Sequence, residues 1–294
     1  ELYFLFLDTE KAFDRCSWEF MIEALEAVGM NQRFTTFVKL AYSYTTSRKL
    51  AANAHLGPAF NLPPGAAQGC PLSPLLFLLI TEPLTRLIHP DRRNIRPNPI
   101  LSSVNRIRGA LIGAVRHRIS QFADDSTLIL RPGDESEAEV CLDIWQRATS
   151  MKENKSKREG LLLGRLNINR QNAPHGVVAD DKWQPDGKTI RALGVPMGNK
   201  VDYTEWYLAR YRTVKERYGM WPVMRRLSLK GRNLILQSMY YGSFRFWLYS
   251  IEMPEVLKRY LHLDAQHILW ATAPKLITHE YGSARARPYI ARKA

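Results

Sequence analysis

Short apolar runs alternate with amphipathic segments over the first two thirds of the chain. Residues 1–7, ELYFLFL, form an apolar run that predicts a buried strand ending at Asp8. Ser17 and Asn31 suit helix N-cap positions, and the apolar residues after each of them recur at helical spacing. The alternating stretch 48–62 predicts a strand pair.

The same pattern continues beyond a turn-rich stretch. Ser73-Pro74 opens a strongly apolar helix, because proline suits the first helical turn. Residues 89–106 are rich in proline and arginine and predict a surface loop, and residues 107–115 predict a strand. Residues 134–150 predict a helix whose first turn is acidic, as the helix dipole favours.

Only helical patterns follow residue 202, and they are rich in arginine, tryptophan and tyrosine. Strands and helices that mix irregularly and then give way to helices indicate an α+β domain followed by a helical one. We place the boundary near residue 200. Most of the aromatic residues at helical spacing in the last part, such as Trp206, Tyr207, Trp221 and Trp247, are expected to pack inside it.

The chain is strongly basic, with a net charge of +14. From residue 201 onward there are 16 Lys/Arg against 7 Asp/Glu. This excess favours a polyanionic partner such as nucleic acid, with a merely soluble basic protein as the alternative. Apolar runs stay well short of the ~20 residues that cross a bilayer, so we expect no membrane partner. Cysteines 16, 70 and 141 are widely spaced and predict neither a disulfide framework nor a zinc site.

Two adjacent aspartates interrupt the apolar stretch 121–130, QFADDSTLIL. It predicts a β-hairpin whose turn carries Ala123, Asp124 and Asp125. If the hairpin lies beside the first strand, Asp8 and Asp124 converge at one edge of a sheet. Carboxylates placed so close repel each other, and a divalent cation such as Mg²⁺ would relieve that repulsion. The alternative is an exposed turn, where aspartate is common.

Three segments occur in an order that resembles a known enzyme family. FLDTEKAFDR (6–15), QGCPLSPLLF (68–77) and QFADDSTLIL (121–130) resemble motifs A, B and C of reverse transcriptases. The sequences of the second and third segments are most similar to the non-LTR (LINE-type) retrotransposon group.

Later segments extend the resemblance to about residue 250. NKSKREGLLLG (154–164) is similar to motif D, ALGVPMG (192–198) to motif E, and RLSLKGRNLILQSMYYGSFRFWLYS (226–250) to the start of the thumb. The resemblance implies a right-hand polymerase palm over 1–200, an antiparallel sheet with helices packed on one face. An all-helical thumb and C-terminal region would follow over 201–294.

The activity that the resemblance implies is RNA-directed DNA polymerisation. A primer 3′-hydroxyl on an RNA template would attack a dNTP, assisted by two Mg²⁺ ions, with Mn²⁺ as an alternative. The metal ligands implied are Asp8, the backbone carbonyl of Thr9, and Asp124, with Asp125 in a supporting role.

Four further residues match motif positions around the nucleotide. Phe13 matches the aromatic residue that excludes a 2′-hydroxyl, although an ordinary core phenylalanine would look the same. Gln68 and Gly69 match the residues that line the nucleotide pocket. Lys157 matches the motif D lysine, which neutralises or protonates the departing pyrophosphate. A solvated lysine is the alternative for Lys157.

Basic residues in the helical part are the candidates for contacts to the primer–template backbone. They are Arg210, Arg212, Lys215, Arg217, Arg225, Arg226, Lys230 and Arg232.

The chain starts just before motif A, so we expect the fingers of such an enzyme to be missing. This leaves open an alternative, a catalytically inactive truncated remnant that only binds nucleic acid. A domesticated or group II intron-type polymerase is a third hypothesis. The family implies action in the nucleus, although the sequence carries no clear localisation signal.

Overall fold

The structure, a computed structural model, describes residues 1–43, 46–50, 55–61, 65–66, 69–89, 107–219 and 227–270. The chain divides into two compact units, Glu1–Val201 and a second that begins at Asp202. The first unit combines strands and helices, and the described part of the second contains helices. The α+β class expected from the sequence is confirmed.

The first unit contains twelve strands among its described residues. They are β1 (Leu2–Leu7), β2 (Thr9–Glu10), β3 (Thr46–Leu50), β4 (Leu56–Asn61), β5 (Ala110–Ile112), β6 (Val115–His117), β7 (Ile119–Phe122), β8 (Asp125–Leu130), β9 (Lys152–Glu153), β10 (Glu159–Leu163), β11 (Ile190–Ala192) and β12 (Val195–Met197). Its α-helices are α1 (Trp18–Ala27), α2 (Gln32–Ser43), α3 (Ser73–Ile88), α4 (Glu135–Thr149) and α5 (Arg165–Ile168).

Four of these strands form the central antiparallel sheet, in the order β10-β1-β8-β7. The first strand of the chain therefore lies in the middle of the sheet, between β8 and β10. β7 and β8 are the hairpin expected around the paired aspartates. The pairs β2–β9, β3–β4, β5–β6 and β11–β12 form smaller two-stranded sheets.

Side chains of β1 alternate between the two faces of the sheet, as the strand period requires. Tyr3, Leu5 and Leu7 are buried on one face, whereas Phe4 and Phe6 are partly exposed on the other. The buried face belongs to the same core cluster as residues of α1, α3 and α4. Helices thus cover one face of the sheet, and Asp8 follows β1 on the side of the opposite, open face.

Local signals in the sequence explain where the first helices begin. The Ser17 hydroxyl accepts a hydrogen bond from Phe20 N, and the Asn31 side chain accepts one from Phe34 N. Both are the N-caps that the sequence predicts. The indole of Trp145 in α4 donates to the carbonyl of Ile80, which ties α4 to the buried helix α3.

One predicted strand is wrong in detail. Residues 107–115 do not form one strand, because β5 and β6 pair with each other across a reversal after Ile112. Gly113 adopts φ +60 at this reversal, a conformation open to glycine that other residues rarely adopt. The predicted loop at 89–106 lies, apart from His89 itself, outside the described residues until Ile107.

The second unit consists of four α-helices over its described residues. They are α6 (Tyr203–Gly219), α7 (Leu229–Ile235), α8 (Gly242–Arg245) and α9 (Glu255–Trp270), with a π-helical segment at Leu236–Tyr240. The Asp264 carboxylate of α9 joins α6 and the π-helical segment, since it accepts hydrogen bonds of 2.6 Å from the hydroxyls of both Tyr211 and Tyr240.

Aromatic packing inside this unit follows the expectation from the sequence in part. Tyr207 is fully buried and donates its hydroxyl proton to the carbonyl of Ile251. Trp206 and Trp247 are partly exposed and meet edge to face, with ring centroids 5.0 Å apart. Trp221 lies outside the described residues. Within the described part of the chain, none of the helices has the length and apolar character needed to cross a membrane.

Replacing Gly160 with alanine tests the packing at the edge of the central sheet. A Cβ atom there would lie 2.4 Å from ring atoms of Trp183, which bridges to Gly160 and meets Tyr3 edge to face. We expect Gly160→Ala to lower the free energy of unfolding of the first unit by about 1–3 kcal/mol, because the indole must shift. Urea denaturation measures this. Gly57→Ala is the control, since its nearest neighbour atom is 3.4 Å away. Equal stability of the two variants would contradict this packing.

Candidate active site

The β7–β8 hairpin reverses through two residues, Ala123 and Asp124, between the paired residues Phe122 and Asp125. Ala123 adopts φ +52, in the left-handed region that alanine rarely occupies. Unfavourable backbone conformations of this kind concentrate at functional sites. The tight turn leaves Asp124 exposed at its tip and makes Asp125 the first residue of β8.

The register between β1 and β8 brings Asp8 to the same place. Their pairing ends at Leu7 and Ser126, so Asp8 and Asp125 are the next facing positions. Both residues line a cleft of ≈ 310 Å³. Burial, followed by the charges of Asp124 and Asp8, raises the pKa of the Asp125 carboxyl above its ordinary value. The charges of Asp8 and Asp124 therefore both act on Asp125. The sequence predicts that Asp8 converges with Asp124, whereas the register sets Asp8 opposite Asp125.

A basic residue lies beside these carboxylates. Lys157 Nζ lies 3.2 Å from Asp8 Oδ2. Backbone pairing brings the two segments together, because Thr9 in β2 pairs with Glu153 in β9 and Asn154 N donates to the Asp8 carbonyl over 2.8 Å. Lys157 ends the 3₁₀ turn that follows. The motif D lysine candidate is thus part of the site.

The donor atoms suit a magnesium ion, although they do not form a dense cluster. Among the residues that the structure describes, no group of three or more His, Cys, Asp or Glu side chains is arranged to hold a metal. Mg²⁺ takes one or two carboxylates and completes its shell with water and substrate phosphates. Asp8 and Asp125 fit that requirement. The third carboxylate, Asp124, is one residue away, and its carbonyl lies 3.5 Å from Thr9 Oγ1.

Three further charged residues line the cleft, and no motif or spacing in the sequence predicts their place in it. They are Glu159, at the start of β10, Lys182, in a 3₁₀ turn, and Arg191, in β11. The bridge between Gly160 and Trp183 brings Lys182 there, since Lys182 directly precedes Trp183. The cleft therefore contains cationic side chains on several segments beside its carboxylates.

Phe13, the residue expected to exclude a 2′-hydroxyl, lies where two segments of the chain meet. Phe13 is half-buried and stacks on Phe77 of α3, with ring centroids 4.3 Å apart. Its carbonyl accepts a hydrogen bond of 2.6 Å from Ala66 N. At Gly65 a Cβ atom would lie 2.6 Å from the same carbonyl, so glycine permits this approach. The segment that leads into motif B is therefore fixed to the backbone of Phe13.

The two predicted residues of the nucleotide pocket have different outcomes. Gly69 is exposed and adopts φ +86, so its backbone conformation itself requires glycine. Gln68 lies outside the described residues.

Some of the basic residues predicted to bind nucleic acid are exposed on the second unit. Arg217 and Lys230 are exposed, as is Arg212, whose guanidinium pairs with Glu205 at 3.0 Å. Arg225 and Arg226 lie outside the described residues.

Other members of that set have contacts within the unit. Arg210 lies over the ring of Trp247, 5.0 Å from its centroid. Lys215 Nζ pairs with Asp264 at 3.3 Å, and Arg232 donates to two backbone carbonyls. These three residues have partners within the unit, and the sequence pattern did not distinguish such contacts from contacts to nucleic acid.

Comparison with known proteins agrees with the motifs. Residues 1–197 match the family model described as "Reverse transcriptase (RNA-dependent DNA polymerase)". The chain is 28% identical over 243 residues to the "Transposon TX1 uncharacterized 149 kDa protein" of Xenopus laevis. The aligned region covers 81% of this chain but only 17% of that relative.

A solved structure with similarity to this one is the telomerase of Candida albicans in complex with a TWJ fragment of telomeric RNA. It has 10% sequence identity and a TM-score of 0.43, over 92% of this chain and 43% of that chain.

The family match takes in nearly all of the first unit, including the β7–β8 hairpin and the turn that carries Lys157. The order of the motifs predicted this result, and the chain belongs to the reverse transcriptase family.

Proposed function

We propose that the first unit is the palm, and the second the thumb, of a LINE-type retrotransposon polymerase that copies RNA into DNA. The observation that carries this proposal is the facing pair Asp8 and Asp125 in one cleft, beside Lys157. The similarity to a transposon protein supports the mobile-element origin. Such an element would act in the nucleus, where its DNA target lies.

The carboxylates are proposed to hold the divalent ions on which reverse transcriptases generally depend. Asp8, Asp124 and Asp125 would supply hard oxygen ligands, with the Thr9 carbonyl as a further donor. When bound, a pair of Mg²⁺ ions activates the attacking 3′-hydroxyl and stabilises the leaving pyrophosphate.

Cationic side chains in the cleft are proposed to bind the triphosphate. Lys157 would neutralise or protonate the pyrophosphate as it departs, because its ammonium already lies beside Asp8. Lys182 and Arg191 line the same cleft and would add positive charge near the phosphates. The positive charge of these side chains would strengthen binding of the negatively charged triphosphate.

Phe13 is proposed to exclude ribonucleotides. Its ring is held by the stack on Phe77 and its backbone by Ala66, so it has little freedom to yield to a 2′-hydroxyl. Gln68 and Gly69 would line the same nucleotide pocket.

Primer extension on an RNA template with Mg²⁺ and dNTPs tests the proposed activity. We expect wild type to extend the primer and Asp124→Ala to be slower by ~100-fold or more, because a carboxylate that would hold a metal ion, and so a source of transition-state stabilisation, is lost. Asp143→Ala is a matched control, since this exposed aspartate pairs with Arg147 on α4.

Run with ribonucleotides, the same primer-extension assay tests the role of Phe13. We expect Phe13→Ala to incorporate ribonucleotides and Phe13→Tyr still to exclude them.

Equal synthesis by wild type and Asp124→Ala would contradict the proposed mechanism. If neither wild type nor Asp143→Ala extends the primer, the inactive nucleic-acid-binding remnant becomes the better description.

The salt dependence of duplex binding tests which basic residues touch the phosphate backbone. Arg217→Gln should lower the slope of log K against log salt by about 0.9 without changing the melting temperature, because this exposed residue would release one counterion on binding. Lys215→Met should leave the slope unchanged and destabilise the second unit, since Asp264 loses a partner. The slope can be measured by fluorescence anisotropy with an RNA–DNA duplex, at salt concentrations between about 50 and 200 mM. Equal slope changes in the two variants would refute this division.

A further inference from the structure

A buried arginine directly follows Lys157. Arg158 and Glu153 side chains are each 3% exposed. Arg158 Nε and Nη2 donate to the two carboxylate oxygens of Glu153, over 2.7 and 2.6 Å. Its Nη1 donates to Glu139 and, over 3.1 Å, to the Val177 carbonyl. A bidentate pair of this kind fixes both the distance and the orientation of the groups it joins.

The segment that carries this pair is fixed to the strand of Asp8. Glu153 pairs through its backbone with Thr9, and Glu153 N also donates to the Gln146 side chain of α4 over 3.0 Å. Asn154 N donates to the Asp8 carbonyl. Lys157 therefore lies between two anchored points, Asn154 and Arg158.

The Lys157 side chain itself is only weakly held. It is 63% exposed, and its partner Asp8 is 44% exposed. Ion pairs between exposed groups contribute little free energy and do not by themselves fix a long side chain. The position of the Lys157 ammonium consequently depends on where the buried pair places its backbone.

Stability alone does not explain the buried pair. Removing two charges from water costs free energy, and a well-packed apolar pair of similar volume often stabilises a protein as much or more. What the apolar pair cannot supply is the fixed, directional geometry of two parallel hydrogen bonds.

We propose that Arg158, through its ion pair with Glu153, is a positioning residue that holds the Lys157 ammonium against Asp8. The inference deepens the proposed function and rests on it only for the catalytic consequence. Arg158 acts through Lys157, so its replacement changes the cleft without removing any group from it.

The position of Lys157 can be measured without metal or substrate. Reductive ¹³C-methylation of the whole chain gives each lysine a dimethyl-ammonium NMR signal and keeps its charge. Lys157→Arg assigns the signal of Lys157 by its loss, and Asp8→Asn gives the signal of the lysine freed from its partner. Lys39 of α2, which pairs with Glu26 of α1, serves as the internal control.

We expect the double variant Glu153→Met/Arg158→Met to move the Lys157 signal to its position in Asp8→Asn, while the Lys39 signal stays unchanged. The double replacement removes both charges of the buried pair together, and Glu139, which loses Arg158, keeps its ion pair with Lys155 at 3.3 Å, which favours folding. Arg158→Lys is the second variant, because lysine keeps the charge and loses the bidentate contact. It should move the signal part of the way. An unmoved Lys157 signal in either folded variant would overturn the proposal.

Polymerase kinetics give a separate result. Arg158→Lys should lower kcat by about tenfold, at the low end for a misplaced proton donor, with KM for dNTP within about twofold. Lys157→Met/Arg158→Lys should be no slower than Lys157→Met alone, and additive losses would overturn the proposal. A moved NMR signal in a chain without polymerase activity would refute the proposed function and leave the positioning role intact.

Discussion

The antiparallel register of β1 against β8 is the constraint on which the cleft depends. It ends at Leu7 and Ser126 and so sets Asp8 opposite Asp125 on the open face. A slip of β8 by one residue would turn Asp125 to the opposite face and bury its charge among the helices. Because the alternate positions of β1 fill the core with Tyr3 and Leu5, the hydrophobic effect that fixes the register also fixes the carboxylates.

Charge balance in the cleft follows from a second set of pairings. Carboxylates that face each other need compensating charge, and here the cation Lys157, 3.2 Å from Asp8, is brought by the pairing of β2 with β9. Lys182 and Arg191 come from segments still further along the chain. In the proposed function, the same side chains that offset the carboxylates would also contact the phosphates of a bound nucleotide.

Sequence patterns predicted those features that depend on neighbouring residues. The caps at Ser17 and Asn31 and the Ala123–Asp124 turn are local, and their residue types carry the signal. The contact between Lys157 and Asp8 joins segments far apart in the chain, so composition and spacing do not predict it, and the resemblance to motif D was the signal that pointed to Lys157. The partner of Lys215 is missed for the same reason, since it lies on another helix.

The most direct test is Mn²⁺ binding to the metal-free chain, followed by electron paramagnetic resonance, with wild type, Asp8→Asn and Asp125→Asn compared. Each variant removes one of the two facing carboxylates and keeps its size. If the register places them around a cation, both replacements weaken binding by about tenfold or more, as loss of one charged ligand should. Binding that is unchanged in both variants would contradict the account of the site.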